Sequence, residues 1–161
     1  MARILIVGCG CRGRQLAREL RAAGHAVRGT TRDPGQAPDI EAAGAEPFIA
    51  DPDRIGTLVP AFAGVTVMCL LLGSATGPEA DLSALHTTRL EMLLLRAIDT
   101  TIHAVLYEAT GTVDEQLLST GAELVQAKCE QSSIRYGILR ADDDTWLTRA
   151  GGAIEALLAP A

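Results

Sequence analysis

The sequence predicts an α/β fold made of one doubly wound domain, with a parallel six-stranded sheet in the order 3-2-1-4-5-6 and helices on both faces. Three observations carry this prediction. Short β-branched runs alternate with helical periodicities along the whole chain, the pattern of a parallel sheet covered on both sides. The first run leads through a glycine-rich turn straight into a helix. Right-handed crossovers then leave few strand orders open, and this order leads them.

Each element follows from local pattern. Arg3 to Val7 (RILIV) is a continuous apolar run ending in glycine, as a strand buried on both faces reads. Arg12 to Ala23 places Leu16 and Leu20 four apart with Ala17 and Ala23 beside them, turns Arg14, Arg18 and Arg21 outward, and stops at Gly24. His25 to Thr30 is the second strand, completing a βαβ unit. A short helical piece at Ile40 to Ala43 precedes a weak third strand, Glu46 to Ala50. Arg54 to Phe62 reads as a helix after the Pro52 turn, and Val65 to Leu72 as a strong buried strand. Beyond a loop at Gly73 to Pro78, the pattern predicts one long helix from Ser83 to Ile98 and a fifth strand at His103 to Ala109. Glu115 to Gln131 is helical, Ile134 to Arg140 is the sixth strand, and Thr145 to Leu158 closes the chain with a helix. Neither repeats nor linkers interrupt the 161 residues, so the expectation is one domain over 1–161.

Composition narrows the function classes. Apolar residues make up 48% and charged residues 21%, which predicts a compact fold, while 3% aromatics leave the core to Leu, Ile, Val and Ala. A formal charge of −6 argues against nucleic acid as a partner, because phosphate neutralisation needs a basic face. The apolar run 65–72 is too short for a membrane span, and no leader is evident at the N-terminus. Cys9, Cys11, Cys69 and Cys129 lack metal-ligand spacing and fit reduced thiols. A soluble, cytoplasmic protein is expected.

Gly8, Gly10 and Gly13 spell G-x-G-x-x-G at the junction of a buried strand and a helix, the context in which that spacing has meaning. Gly8 permits the tight turn, Gly10 lets backbone approach a pyrophosphate, and Gly13 lets helix and strand pack closely. The N–H groups near Cys11 and Arg12 would face the anion at the helix N-terminus. After the second strand, where an NAD site places an acid for the ribose 2′-hydroxyl, the chain has Thr31-Arg32. No carboxylate repels a 2′-phosphate there, and the planar Arg32 fork can grip one, so NADP(H) is expected over NAD(H). Asp33 precedes Pro34 and reads as a turn residue pointing away.

With these motifs the chain resembles an atypical short-chain dehydrogenase/reductase, an NAD(P)-binding Rossmann protein of the epimerase-like or NmrA-like kind, over nearly its whole length. The resemblance implies dinucleotide binding. It implies that Asp51 and Pro52, after the third strand, contact adenine, and that backbone at Leu72 and Gly73 lines the ribose beside the nicotinamide. It implies a homodimer through helices 83–98 and 115–131, consistent with the excess of apolar residues at Glu91 to Leu95. It implies, too, that Thr110 is the equivalent of the family's catalytic Ser/Thr.

The chain departs from that family in its chemistry. The Tyr-x-x-x-Lys pair that supplies the proton and holds the ribose should fall near 117–118 and 121–122, where Leu117, Leu118, Gly121 and Ala122 stand. The single lysine, Lys128, has Leu124 four residues before it, and His86 takes the place of the family's helix asparagine. A positioned general acid is worth about a hundred- to ten-thousand-fold, so the usual mechanism is lost. Glu108 and Thr110, at the end of the fifth strand, are the remaining catalytic candidates; Glu108 reads either as an acid of raised pKa or as a helix cap or arginine partner. His86 reads as a structural residue on a helix surface, Tyr107 and Tyr136 as strand residues of core or interface, and Cys11 as a small residue tolerated beside phosphate. Two functions follow: a dinucleotide-binding or sensing protein without turnover, or a small NADPH-dependent oxidoreductase acting on a flavin, quinone or carbonyl substrate without the Tyr-Lys pair.

Overall fold

Alternating Ile4/Ile6 and Leu5/Val7 send β1 (Arg3–Val7) side chains to opposite faces of a sheet that buries both. In the computed structural model, which describes residues 1–160, six parallel strands lie in the order β3-β2-β1-β4-β5-β6. The others are β2 (Ala26–Thr31), β3 (Glu46–Ile49), β4 (Val67–Leu70), β5 (Ala104–Glu108) and β6 (Arg135–Leu139). Ile4 pairs with Val27 on one side and Val67 on the other, so the register puts the ends of β1, β2 and β4 level at one edge. That edge is where the order reverses, and crossovers leave in opposite directions to open a crevice.

Helices α1 (Cys11–Ala22), α2 (Ala37–Ala42) and α7 (Trp146–Leu158) cover one face, burying Leu16, Leu20, Ile40, Trp146 and Ile154 against Ile4, Ile6, Cys69 and Leu106. Helices α3 (Ile55–Leu58), α4 (Glu79–Leu85), α5 (Thr88–Ala97) and α6 (Glu115–Gln131) cover the other with Leu58, Leu90, Leu93, Leu94 and Val125. The edge strands are the exposed ones, and β3 carries Pro47, which an edge tolerates because it lacks a donor. Arg28 in β2 is an unexpected buried charge: it bonds Glu46 at 3.1 Å and the carbonyls of Ala61 and Ala63 at 2.6 and 3.0 Å, satisfying two loop acceptors.

Three expected elements differ. The helix read over 83–98 is two, broken at His86-Thr87, because His86 is not on a surface: it is 1% exposed and turns inward. Its Nε2 donates to the Leu72 carbonyl at 3.1 Å, which leaves Nδ1 to accept from the Tyr107 hydroxyl at 2.6 Å. The helix read over 54–62 ends at Leu58 and passes into a 3-10 turn, Val59–Phe62, where Pro60 removes a helical donor. The fourth strand is only Val67–Leu70, since the chain past Leu70 leaves the ladder to form the crevice wall. Among the described residues no helix is long and apolar enough to cross a membrane.

Candidate dinucleotide-binding site

The site begins where β1 ends. Gly8 has φ +83°, and a Cβ there would lie 2.7 Å from the Leu71 carbonyl oxygen, so only glycine turns the chain here without strain. The loop is pinned to β2: Gly8 N–H donates to Thr30 Oγ1 at 3.2 Å and Cys9 N–H to the Thr30 carbonyl at 3.0 Å. Cys9 points into the core, where its sulfur fills the space a Cβ on Gly29 would need, and burial pushes its thiol up to about 11. Gly13 packs α1 onto β1; a Cβ would sit 3.2 Å from Ile6 Cγ2. Gly10 differs from both. A Cβ there would meet nothing within 4 Å, and the residue lines the crevice.

Gly10 caps α1 without a side-chain hydrogen bond, and no acid stands in the first turn. The first helical bond is Arg14 N–H to the Gly10 carbonyl. The amides of Cys11, Arg12 and Gly13 therefore have no helical acceptor, and the positive end of the helix dipole faces the opening. Around it lies a cavity of about 570 Å³, within the size range of small-molecule sites, bounded by the ends of β1, β2, β4 and β5.

Of the residues expected to hold a dinucleotide, Gly8, Gly10, Cys11, Arg12, Gly13, Thr31, Arg32, Pro52 and Leu72 line this cavity. Arg32 is half exposed at the β2 end, 3.7 Å from Asp53 Oδ2. Asp33 is engaged in its turn, accepting from Gly35 N–H at 2.9 Å. Asp51 and Gly73 do not line the cavity. The Asp51 carboxylate accepts from Asp53 N–H at 2.9 Å, and Gly73 is drawn against the following loop, where a Cβ would collide with the Thr110 carbonyl.

Glu108 forms the opposite end. It is 3% exposed; Oε1 accepts from Gly73 N–H at 2.9 Å and Oε2 from Trp146 Nε1 at 2.7 Å, with Arg12 Nη1 at 3.6 Å. Burial raises its pKa, against the opposing pull of those three donors. Its role as an arginine partner is realised, whereas the cap of α6 is Asp114. Arg12 continues to Asp143 and lies over the Trp146 ring, 5.5 Å from its centroid. Thr110 is not among the residues that line the cavity, and its hydroxyl donates to the Ala141 carbonyl at 3.2 Å. Tyr107 is buried beneath, its hydroxyl pushed up by burial and by Glu108; α6 reaches it only because residue 121 is glycine, whose Cβ would strike that hydroxyl.

The residues present fit a dinucleotide on three counts: free amides at a helix start, open space at Gly10, and a cation at the β2 end. Comparison with known families decides the matter. The NAD(P)H-binding family model matches residues 8–140. The chain belongs to that NAD(P)H-binding family. Its fold is similar to that of a Bacillus halodurans protein described as an NAD-dependent epimerase/dehydratase, at 22% identity and TM-score 0.73, covering 87% of this chain and 70% of that one. It is also similar to an Agrobacterium tumefaciens short-chain dehydrogenase/reductase superfamily protein with bound NAD, at 20% identity and TM-score 0.69. A Citrobacter triphenylmethane reductase complexed with NADP(H) matches at 20% identity and TM-score 0.65. In both of these the match covers 86% of this chain but only 48% of the other. No curated protein matches.

The sequence reading missed several cavity residues. Thr30, which anchors the glycine loop, had a signal in strand alternation, whereas Asp53, two residues after Asp51, is placed by its contact with Arg89. Ser74 to Pro78, which wall the crevice beyond β4, carry no motif and are placed only by the chain's departure from the ladder.

Proposed function

We propose that this chain is an NADP(H)-binding protein, preferring NADP(H) to NAD(H), that uses the dinucleotide for binding or sensing without turning over a substrate. The amides of Cys11 to Gly13 would receive the pyrophosphate, Arg32 the 2′-phosphate, Pro52 the adenine side, and Leu72 the nicotinamide ribose. The dinucleotide, when bound, supplies hydride chemistry. One observation carries the non-catalytic reading: both catalytic candidates are already engaged, Thr110 with Ala141 and Glu108 with Gly73, Trp146 and Arg12. Calorimetry tests it. Arg32→Ala should weaken NADPH at least tenfold more than NADH, in proportion to one charge-assisted pair, and wild type should not oxidise NADPH with quinones, flavins or aldehydes; equal losses or steady oxidation contradict it.

The reductase reading is favoured by one feature, the buried Glu108 of raised pKa at the cavity wall. It requires that NADPH oxidation occur and that Glu108→Gln slow it.

The chain is also proposed to form a homodimer through the segments 83–98 and 115–131 and to work in the cytoplasm. Met92, Leu95 and Ile98 on and just after α5 are 48%, 46% and 37% exposed, and Lys128 of α6 pairs with Glu91 at 3.3 Å to bind the two helices into one surface.

A further inference from the structure

Arg32 is not a free cation. Asp53 Oδ2 lies 3.7 Å from its Nη1, and Asp53 is itself held from two other sides. Its Oδ1 accepts from Arg89 Nη1 at 2.9 Å, and its backbone N–H donates to Asp51 at 2.9 Å. Arg89 is in turn fixed by the Asp81 carbonyl at 3.3 Å and carboxylate at 3.7 Å. The Asp53 side chain is only a quarter exposed and lines the crevice with Arg32. The tether matters more than the contact with Arg32, because a carboxylate held by Arg89, on a backbone whose N–H is anchored to Asp51, stays where it is when another anion arrives.

We propose that Asp53 is a specificity-determining residue that limits the preference for a 2′-phosphorylated ribose. The inference rests on the dinucleotide reading above. A 2′-phosphate reaching Arg32 must share the guanidinium with a fixed carboxylate and meets its like charge. A 2′-hydroxyl meets no such repulsion and can donate a hydrogen bond to the same carboxylate. Arg32 and Asp53 thus pull in opposite directions, and the balance between NADP(H) and NAD(H) is set by the pair rather than by the arginine alone.

Calorimetric titration of NADPH and NADH into wild type, Asp53→Asn and Asp53→Glu tests this. Asp53→Asn should raise the NADPH-to-NADH affinity ratio by about three- to tenfold, the size of one partly screened like-charge contact, and the gain should shrink with added salt. Asp53→Glu, which keeps the charge, should give no such gain. An unchanged ratio in Asp53→Asn, equal weakening of both nucleotides, or the same gain in Asp53→Glu would overturn the proposal. Should Asp53→Asn fail to fold, Asp53→Ser carries the same comparison. A wild type that binds neither nucleotide sinks the dinucleotide reading itself, whereas binding with a ratio insensitive to Asp53 sinks only this inference.

Discussion

At the residue scale, the three glycines of one motif do three physically different things, and only one of them concerns a ligand. Gly8 is required by its positive φ and by the Leu71 carbonyl, Gly13 by helix packing, and Gly10 by nothing inside the chain. Gly8→Ala should therefore destabilise the protein by about 2 kcal/mol or more through strain and collision. Gly10→Ala should cost no more than about 1 kcal/mol, the difference between two helix caps. Urea denaturation of both variants checks the contrast, and equal losses would contradict it. His86 is a second residue whose burial has a measurable consequence. Burial lowers its pKa below 6.5, so the folded state resists a proton that the unfolded state accepts. Its contribution is complete above about pH 6.5 and is lost as pH falls toward the folded pKa. Stability followed from pH 8 to pH 5 should drop more in wild type than in His86→Gln; parallel curves would show that His86 carries no such linkage.

At the element scale, what was legible in the sequence was whatever local pattern decides. The RILIV run, the periodic α1 and the 17-residue α6 stand where periodicity places them, because their partners lie on regular faces. The Ser83 to Ile98 helix failed as a single element because its break is made by tertiary bonds. His86 leaves the helical surface to join Leu72 and Tyr107, residues 14 and 21 positions away, and no helical periodicity reveals that. The glycine loop, Thr31 and Arg32 were legible as cavity-lining positions because they directly follow β1 or end β2, strands that local pattern places. Asp53 and Ser74 to Pro78 were not, because they enter the site through loops whose paths are set by Arg89 and by the crossing of Gly73 against Gly111. Glu108 was legible in position and as a partner for an arginine, but not in which residues meet it: Arg12 and Trp146 come from the first and last helices.

At the scale of the whole molecule, two faces remain to be explained by something outside one chain. One is the crevice between the β1 and β4 crossovers. The other is the apolar strip of Met92, Leu95 and Ile98, which the proposed homodimer would cover. Leu95→Asp combined with Met92→Asp should convert a dimer to a monomer in sedimentation while leaving the fold intact, since both side chains are about half exposed. A wild type that sediments as a monomer at high concentration removes the dimer. The crevice is the central claim, and Gly10 addresses it most directly because a Cβ there would meet no protein atom within 4 Å. In calorimetric titration at a temperature where both proteins are folded, wild type should bind NADPH saturably at one per chain. Gly10→Val should lose about a hundredfold or more in affinity, because the added side chain would stand where the diphosphate must lie. Undiminished binding in Gly10→Val, or no binding in wild type, would contradict the account.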